Sequence, residues 1–147
     1  MQHDHSTVYG SCFCGEVRFR VELPTLFCAH CHCSMCRRSH GAGFVTWFGT
    51  PYERFAVEKG EEHLSRFQSS HHGRRSFCEI CGSALFCEST HHPDHIDIVL
   101  ANMESPIDRV PDLHVYFDDR APWVYTEDGL RRLGGKTGVE PIPEGSQ

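Results

Sequence analysis

The stretch Cys28–Gly43 reads CAHCHCSMCRRSHGAG and combines four cysteines with three histidines. It contains three cysteines in a C-x-C-x2-C array: Cys31, Cys33 and Cys36. Thiolates at these spacings can bind one tetrahedral metal ion, because both spacings fold the chain tightly around it. A zinc ion with three protein ligands is typical of a catalytic site, whereas structural zinc sites are closed by four. The fourth ligand stays open at this point, with four candidates nearby: Cys28, His30, His32 and His40.

Two further cysteine motifs lie outside this stretch. Ser11–Gly15 reads SCFCG, and Phe77–Ser83 reads FCEICGS. In each motif a glycine follows the second cysteine and permits a tight turn that a Cβ would obstruct. The two motifs together supply the four thiolates of a closed tetrahedral site: Cys12, Cys14, Cys78 and Cys81. A metal ion that closes so long a loop constrains the unfolded chain strongly, and we therefore predict a structural zinc here. With the ion at the C-x-C-x2-C array, this makes two zinc ions per chain.

Short strands dominate the pattern of apolar residues. Val17, Phe19, Val21 and Leu23 alternate with charged residues, which predicts a half-buried strand that Pro24 ends. Further short strands are predicted at 44–48, 55–57, 64–67, 96–101 and 113–117, with a turn at 49–51. Residues 34–40 predict one or two helical turns stopped by Gly41. The fold class is therefore mainly β: a single small domain of short antiparallel strands, stapled by zinc, with little helix.

The domain is predicted to cover residues 1–133, and the Gly- and Pro-containing segment 134–147 is predicted to be a flexible tail. A chain of 147 residues fits one domain, and its net charge of −6 argues against nucleic-acid binding. The first ten residues, MQHDHSTVYG, contain no apolar signal region, and no apolar run is long enough to span a membrane. We therefore expect a cytoplasmic protein without membrane partners.

Cysteine usage agrees with that compartment. In a reducing cytoplasm, nine cysteines indicate metal ligands more than disulfides, and an odd number cannot pair completely. One metal site plus reduced core thiols is the main alternative to two sites. Cys28 and Cys87 are predicted to be buried thiols, since cysteine behaves as a small hydrophobe. A thiol redox protein is disfavoured, because metal-bound thiolates are occupied.

Three motifs resemble the glutathione-dependent formaldehyde-activating enzymes, a family shared with centromere protein V. They are SCFCGEVRF at Ser11–Phe19, CHCSMCRRSHG at Cys31–Gly41 and RSFCEICGSAL at Arg75–Leu85. The tripeptide Ala121-Pro122-Trp123 is similar to a downstream element of the same family. The resemblance implies a β-rich, tent-like fold with two zinc ions. It assigns Cys12, Cys14, Cys78 and Cys81 to the structural ion, and Cys31, Cys33 and Cys36 to the active-site ion.

The resemblance also implies an activity, that of a carbon–sulfur lyase similar to S-(hydroxymethyl)glutathione synthase. The partner would be a small-molecule thiol, with glutathione suggested by the family and formaldehyde as the aldehyde. His32 and His40 are candidates for supplying a proton, and Arg37 for pairing with an anionic substrate. The alternative function is a non-catalytic, zinc-stabilised binding module. The sequence predicts neither the true substrate nor the oligomeric state.

Overall fold

The computed structural model describes residues 6–143, which are mainly β. The strands are β1 (Thr7–Ser11), β2 (Arg18–Glu22), β3 (Phe27–Cys31), β4 (Val45–Pro51), β5 (Phe55–Lys59), β6 (Leu64–Gln68), β7 (Gly73–Cys78), β8 (Ala84–Ser89), β9 (His95–Val99), β10 (Leu113–Val115), β11 (Arg131–Gly134) and β12 (Glu140–Pro141). The helix α1 spans Ser34–His40, and single 3-10 turns lie at Tyr52–Arg54, Glu61–His63, Leu100–Asn102 and Phe117–Asp119. No helix of the described residues has the length and apolar character needed to cross a membrane.

Contacts divide the chain into two compact units. The first contains the described residues up to Phe27 together with Phe48–Val110. It holds the antiparallel sheet β1–β2–β5 and the antiparallel series β6–β7–β8–β9. Strand β2 shows the predicted alternation, because Phe19 and Val21 are fully buried between charged neighbours. The Phe19 ring packs edge-on against Phe86, with 5.0 Å between ring centroids, in the core of this unit.

The second unit contains Cys28–Trp47 and the described residues from Pro111 onward. Its strand β10 is parallel to both β3 and β11, and β12 is antiparallel to β11. Helix α1 begins after Cys33, whose side chain caps it, and ends at Gly41. The backbone of Gly41 is left-handed, with φ 60°, a conformation that glycine adopts without steric cost. The predicted helical turns at residues 34–40 are thereby confirmed.

The mainly β fold with little helix is confirmed, and the parallel pairs of β10 add to the antiparallel strands that the sequence predicts. The predicted turn at 49–51 is wrong, since these residues complete β4. Six strands were not predicted: β1, β3, β7, β8, β11 and β12. Their sequences lack a clear period of two; β7, for example, buries Arg75 and Ser76 side by side.

The predicted limits of the domain, 1–133, stay a prediction. Strand β12 lies within the segment predicted as a tail, and residues 144–147 lie outside the described residues, as do residues 1–5.

Candidate metal centres

The first unit brings four cysteines together from two distant parts of the chain. The sulfur atoms of Cys12, Cys14, Cys78 and Cys81 all lie within 4.8 Å of one another. Cys12 and Cys14 follow β1, whereas Cys78 ends β7 and Cys81 lies in the turn before β8. The structure therefore places next to one another all four residues that the sequence assigns to the structural site.

The sulfur separations in this cluster match a tetrahedral zinc. A Zn–S bond of about 2.3 Å at tetrahedral angles requires sulfurs about 3.8 Å apart. The Cys12 and Cys14 sulfurs are 3.5 Å apart, and those of Cys14 and Cys78 are 3.8 Å apart. Four convergent thiols form a donor set that suits zinc. The cluster thus fits the ion that the sequence predicts.

Hydrogen bonds prepare two of these sulfurs for ionisation. The N–H of Val17 lies 3.3 Å from the Cys12 sulfur, and the Ser83 hydroxyl lies 3.3 Å from the Cys81 sulfur. Burial opposes ionisation of Cys81, but hydrogen bonds from the side chain and backbone of Ser83 outweigh it and lower the pKa of Cys81 to about 6. A thiolate at this position is the form that binds metal.

The second unit holds a separate cluster of three cysteines. The sulfurs of Cys31, Cys33 and Cys36 lie within 4.8 Å of one another. Cys31 ends β3, Cys33 caps α1 by accepting a hydrogen bond from the Cys36 N–H at 3.3 Å, and Cys36 lies in the first turn of α1. Cys31 and Cys36 are buried, whereas Cys33 is partly exposed. Solvent therefore reaches the cluster from the side of Cys33.

The neighbouring thiols and burial oppose ionisation of Cys31 in the protein alone. Hydrogen bonds to the Cys33 and Cys36 sulfurs, followed by burial, raise the pKa of the Cys31 thiol. A bound cation would offset both effects, since it favours the thiolate form. Sulfur donors at these separations fit a zinc ion here as well.

Among residues 6–143, no fourth side chain of His, Cys, Asp or Glu joins this cluster. Cys28 is buried in the same unit outside the cluster, and none of the three nearby histidines belongs to it: Nδ1 of His30 is bonded to Thr46 and Nε2 of His32 to His114. Within the described residues, the cluster therefore contains three candidate ligands. Cys87 also lies outside both clusters and is partly buried.

A buried histidine, His32, is the sequence neighbour of two cysteines of this cluster. His32 lies between Cys31 and Cys33 and has no exposed surface. Its ring packs against Phe44 and Phe117 and forms a hydrogen bond with His114, which in turn is bonded to Asp128. Burial lowers the pKa of His32 to about 4, with a further contribution from His114.

Arg37 and Asp119 connect α1 to the 3-10 turn after β10. The side chain of Arg37 donates to the carbonyl oxygens of His32, at 3.2 Å, and of Asp119, at 3.1 Å. The Asp119 carboxylate accepts a hydrogen bond of 2.7 Å from the Ser34 N–H, at the start of α1. Two N–H groups of Arg37 thus bind main chain, while Arg38 on the same helix is exposed.

Sequence reasoning did not identify His114 or Asp128. His114 is 82 positions from His32, so no local spacing connects them. The sequence predicts a strand at 113–117 that contains His114, but its pattern does not indicate which segment that strand pairs with.

Comparisons with known proteins agree with this geometry. The family model described as "Glutathione-dependent formaldehyde-activating enzyme" matches residues 7–119, a range that contains all seven clustered cysteines. A protein of Halomonas elongata, named "Putative glutathione-dependent formaldehyde-activating enzyme", is 32% identical over 125 residues, which are 80% of this chain and 80% of that protein. The crystal structure of a Rhodobacter sphaeroides protein superposes with a TM-score of 0.59 at 26% identity, covering 70% of this chain and 97% of that one. The chain belongs to the family of glutathione-dependent formaldehyde-activating enzymes.

Proposed function

We propose that this protein is a zinc-dependent carbon–sulfur lyase that joins a small-molecule thiol to a small aldehyde, or separates the adduct again. Family membership suggests glutathione as the thiol and formaldehyde as the aldehyde. The observation that carries the proposal is the cluster of Cys31, Cys33 and Cys36, to which residues 6–143 add no fourth ligand.

The two clusters have different tasks in this proposal. Cys12, Cys14, Cys78 and Cys81 hold a structural zinc with four protein ligands, and the three-cysteine cluster holds the zinc at which substrate binds. Zinc with three thiolate ligands supplies a position for one further soft ligand and strongly favours the deprotonated form of a thiol bound there. Cys33, the partly exposed member, lies on the side from which a substrate reaches the cluster.

The reaction balances without a redox step. The thiol sulfur bonds to the carbonyl carbon, the π pair of the C=O bond moves to oxygen, and the proton lost by the thiol is taken up by that oxygen. The product is a hemithioacetal, and the reverse steps release the thiol and aldehyde. No oxidant or reductant is required, so the protein's tasks are to bind the thiol, favour its ionisation and orient it.

Charge near the cluster suits an anionic thiol such as glutathione. Arg38 is exposed on α1, two residues after the ligand Cys36. A guanidinium in this position can pair with a carboxylate of the substrate. Arg37 is less suited to that task, because two of its N–H groups bind carbonyl oxygens of the protein.

Cobalt substitution tests the proposal, since cobalt–thiolate charge-transfer absorption increases with each sulfur bound. We expect glutathione to increase the absorption of the cobalt protein to saturation. S-methylglutathione, which cannot form a thiolate, should leave the absorption unchanged. Exchange between free formaldehyde and its glutathione adduct, followed by NMR, should be accelerated by the zinc protein above the uncatalysed rate.

Two variants control for the site. Cys33→Ser should lose the glutathione-dependent absorption and the acceleration of exchange, because it removes one of three ligands. Cys28→Ser should retain both, because Cys28 is a buried thiol of the same unit outside the cluster. Absence of a response to glutathione and to other small thiols would refute the lyase and favour the non-catalytic binding module.

A further inference from the structure

A hydrogen-bonded chain of three side chains runs from the surface to the middle of the C-x-C motif. The Asp128 carboxylate oxygen Oδ2 lies 2.8 Å from Nε2 of His114, and Nδ1 of His114 lies 2.8 Å from Nε2 of His32. Both histidines have no exposed surface, whereas the Asp128 side chain is 37% exposed. The mechanism proposed above uses none of these three side chains.

Asp128, at the surface end of these three side chains, determines which nitrogen atoms of the two histidines donate and which accept. The Asp128 carboxylate is an acceptor, and the Leu130 N–H and the His114 ring outweigh its partial burial and lower its pKa. Nε2 of His114 therefore donates to it. With His114 neutral, its Nδ1 accepts and Nε2 of His32 donates; with His114 charged, the second bond reverses. In either state the His32 ring has one hydrogen-bonding partner at one edge.

The surroundings leave the His32 ring little other means of orientation. Phe44 and Phe117 pack on it at centroid distances of 5.1 Å, and such apolar contacts do not distinguish one ring edge from the other. The remaining ring nitrogen, Nδ1, is buried and has no hydrogen-bond partner among the described residues. The hydrogen bond to His114 is thus the polar contact that determines the orientation of the His32 ring.

Backbone contacts couple His32 to the metal ligands on either side of it. The His32 N–H donates to the carbonyl of Val115 at 3.0 Å, and Val115 pairs with Cys31 between β10 and β3. His30 and His32 both contact the His114 ring, at centroid distances of 5.0 and 4.9 Å. Since side chains alternate along an extended chain, anchoring His30 and His32 on one side directs Cys31 and Cys33 to the other.

We propose that Asp128 is a positioning residue, which through His114 fixes the orientation of His32 and thereby arranges the C-x-C motif for metal binding. The inference rests on the proposed use of the three-cysteine cluster as a metal site. Outer partners that orient a site change metal affinity by about 10–100-fold when removed. Because Asp128 acts through two intervening rings, we expect an effect at the lower end, about tenfold.

The test compares Asp128→Ala with Asp112→Ala in the full chain. Asp112 is an exposed aspartate in the same unit, two residues before His114, and has no side-chain hydrogen bond among the described residues. Zinc affinity is measured by competition with a chromophoric chelator, and the weaker of the two sites is assigned with Cys33→Ser. We expect weaker binding by about tenfold at that site in Asp128→Ala only.

A second readout reports the His32 ring itself. Long-range ¹⁵N–¹H correlation spectra of the histidine side chains distinguish the two tautomers of a neutral imidazole. In the wild-type protein and in Asp112→Ala, His32 should show a single tautomer; in Asp128→Ala it should show a mixture. A merely structural loss would instead alter the melting temperature without changing the tautomer or the metal affinity of the folded protein.

The outcomes are distinguishable from failure of the proposed function. Unchanged zinc affinity or an unchanged tautomer in Asp128→Ala would overturn the inference alone. Absence of zinc at the three-cysteine cluster of the wild-type protein would overturn the proposed function, and the tautomer spectrum would then show whether Asp128 still orients His32.

Discussion

The two cysteine clusters close loops of very different length, and this difference predicts unequal contributions to stability. Cys14 and Cys78 are 64 positions apart. In the chain-entropy treatment of a crosslink, closing such a loop stabilises the folded state by about 4 kcal/mol at 25 °C. The three-cysteine cluster closes only the short segment from Cys31 to Cys36, for which the same relation gives about 2 kcal/mol. Removal of metal should therefore destabilise the protein by about 2 kcal/mol more at the first cluster than at the second.

Two double variants isolate the effect. Cys33→Ser/Cys36→Ser retains only the four-cysteine cluster, and Cys78→Ser/Cys81→Ser retains only the three-cysteine cluster. The free energy of unfolding is measured in urea for each, with bound zinc and after chelation. Serine at the fully buried Cys78 has its own cost, but that cost is present in both conditions and cancels from the chelation effect.

We expect chelation to reduce the free energy of unfolding of the first variant by at least about 2 kcal/mol more than that of the second. Equal reductions would refute the reasoning, because they would mean that the length of the closed loop does not determine the stabilisation. A larger reduction in the protein that retains only the three-cysteine cluster would refute the assignment of the structural role to the other four cysteines.

Two further predictions concern residues that belong to neither cluster. The buried Thr25 donates two hydrogen bonds to the Asp108 carboxylate, one from its N–H and one from its hydroxyl. These bonds outweigh the burial of the carboxylate and lower the pKa of Asp108. The stability that they contribute is therefore present above the unfolded-state pKa and is lost as pH falls through the folded-state pKa. Asp108→Ala should cost about 1–3 kcal/mol at pH 7 and remove this acid-sensitive contribution, as urea titrations between pH 3 and 7 would show; a variant with the same pH profile as wild type would contradict it. Gly41→Ala should lower the free energy of unfolding by about 1–2 kcal/mol, because φ is positive at this position although a Cβ would meet no other atom. Gly60→Ala should lower it by at least about 3 kcal/mol, because φ is also positive there and the Cβ would overlap the carbonyl oxygen of Glu16. Equal shifts of the two variants in thermal melts would show that the contact with Glu16 relaxes freely.

Features encoded by neighbouring residues could be predicted from the sequence. The alternation in β2, the left-handed glycine that ends α1 and the grouping of cysteines each depend on spacing within a few residues or on the known geometry of a metal site. Strand β3 was hidden because it carries cysteine and histidine where a strand pattern requires regular alternation. The parallel pairing of β10, and the chain from Asp128 to His32, depend on which distant segments meet, and no local pattern records that.

Cys33 has two tasks, since its sulfur belongs to the metal cluster and also caps the N-terminus of α1. A helix of seven residues is too short to persist in isolation, so its order depends on its ends and its neighbours. Alkylation or oxidation of this one sulfur would consequently remove a ligand and the cap together, and the segment carrying Arg37 and Arg38 would lose order as the metal departs. Serine, which caps helices well, would divide the two tasks: it would keep the helix start while giving up the thiolate. Chemical damage and serine substitution at position 33 are therefore different lesions, even where both abolish metal binding.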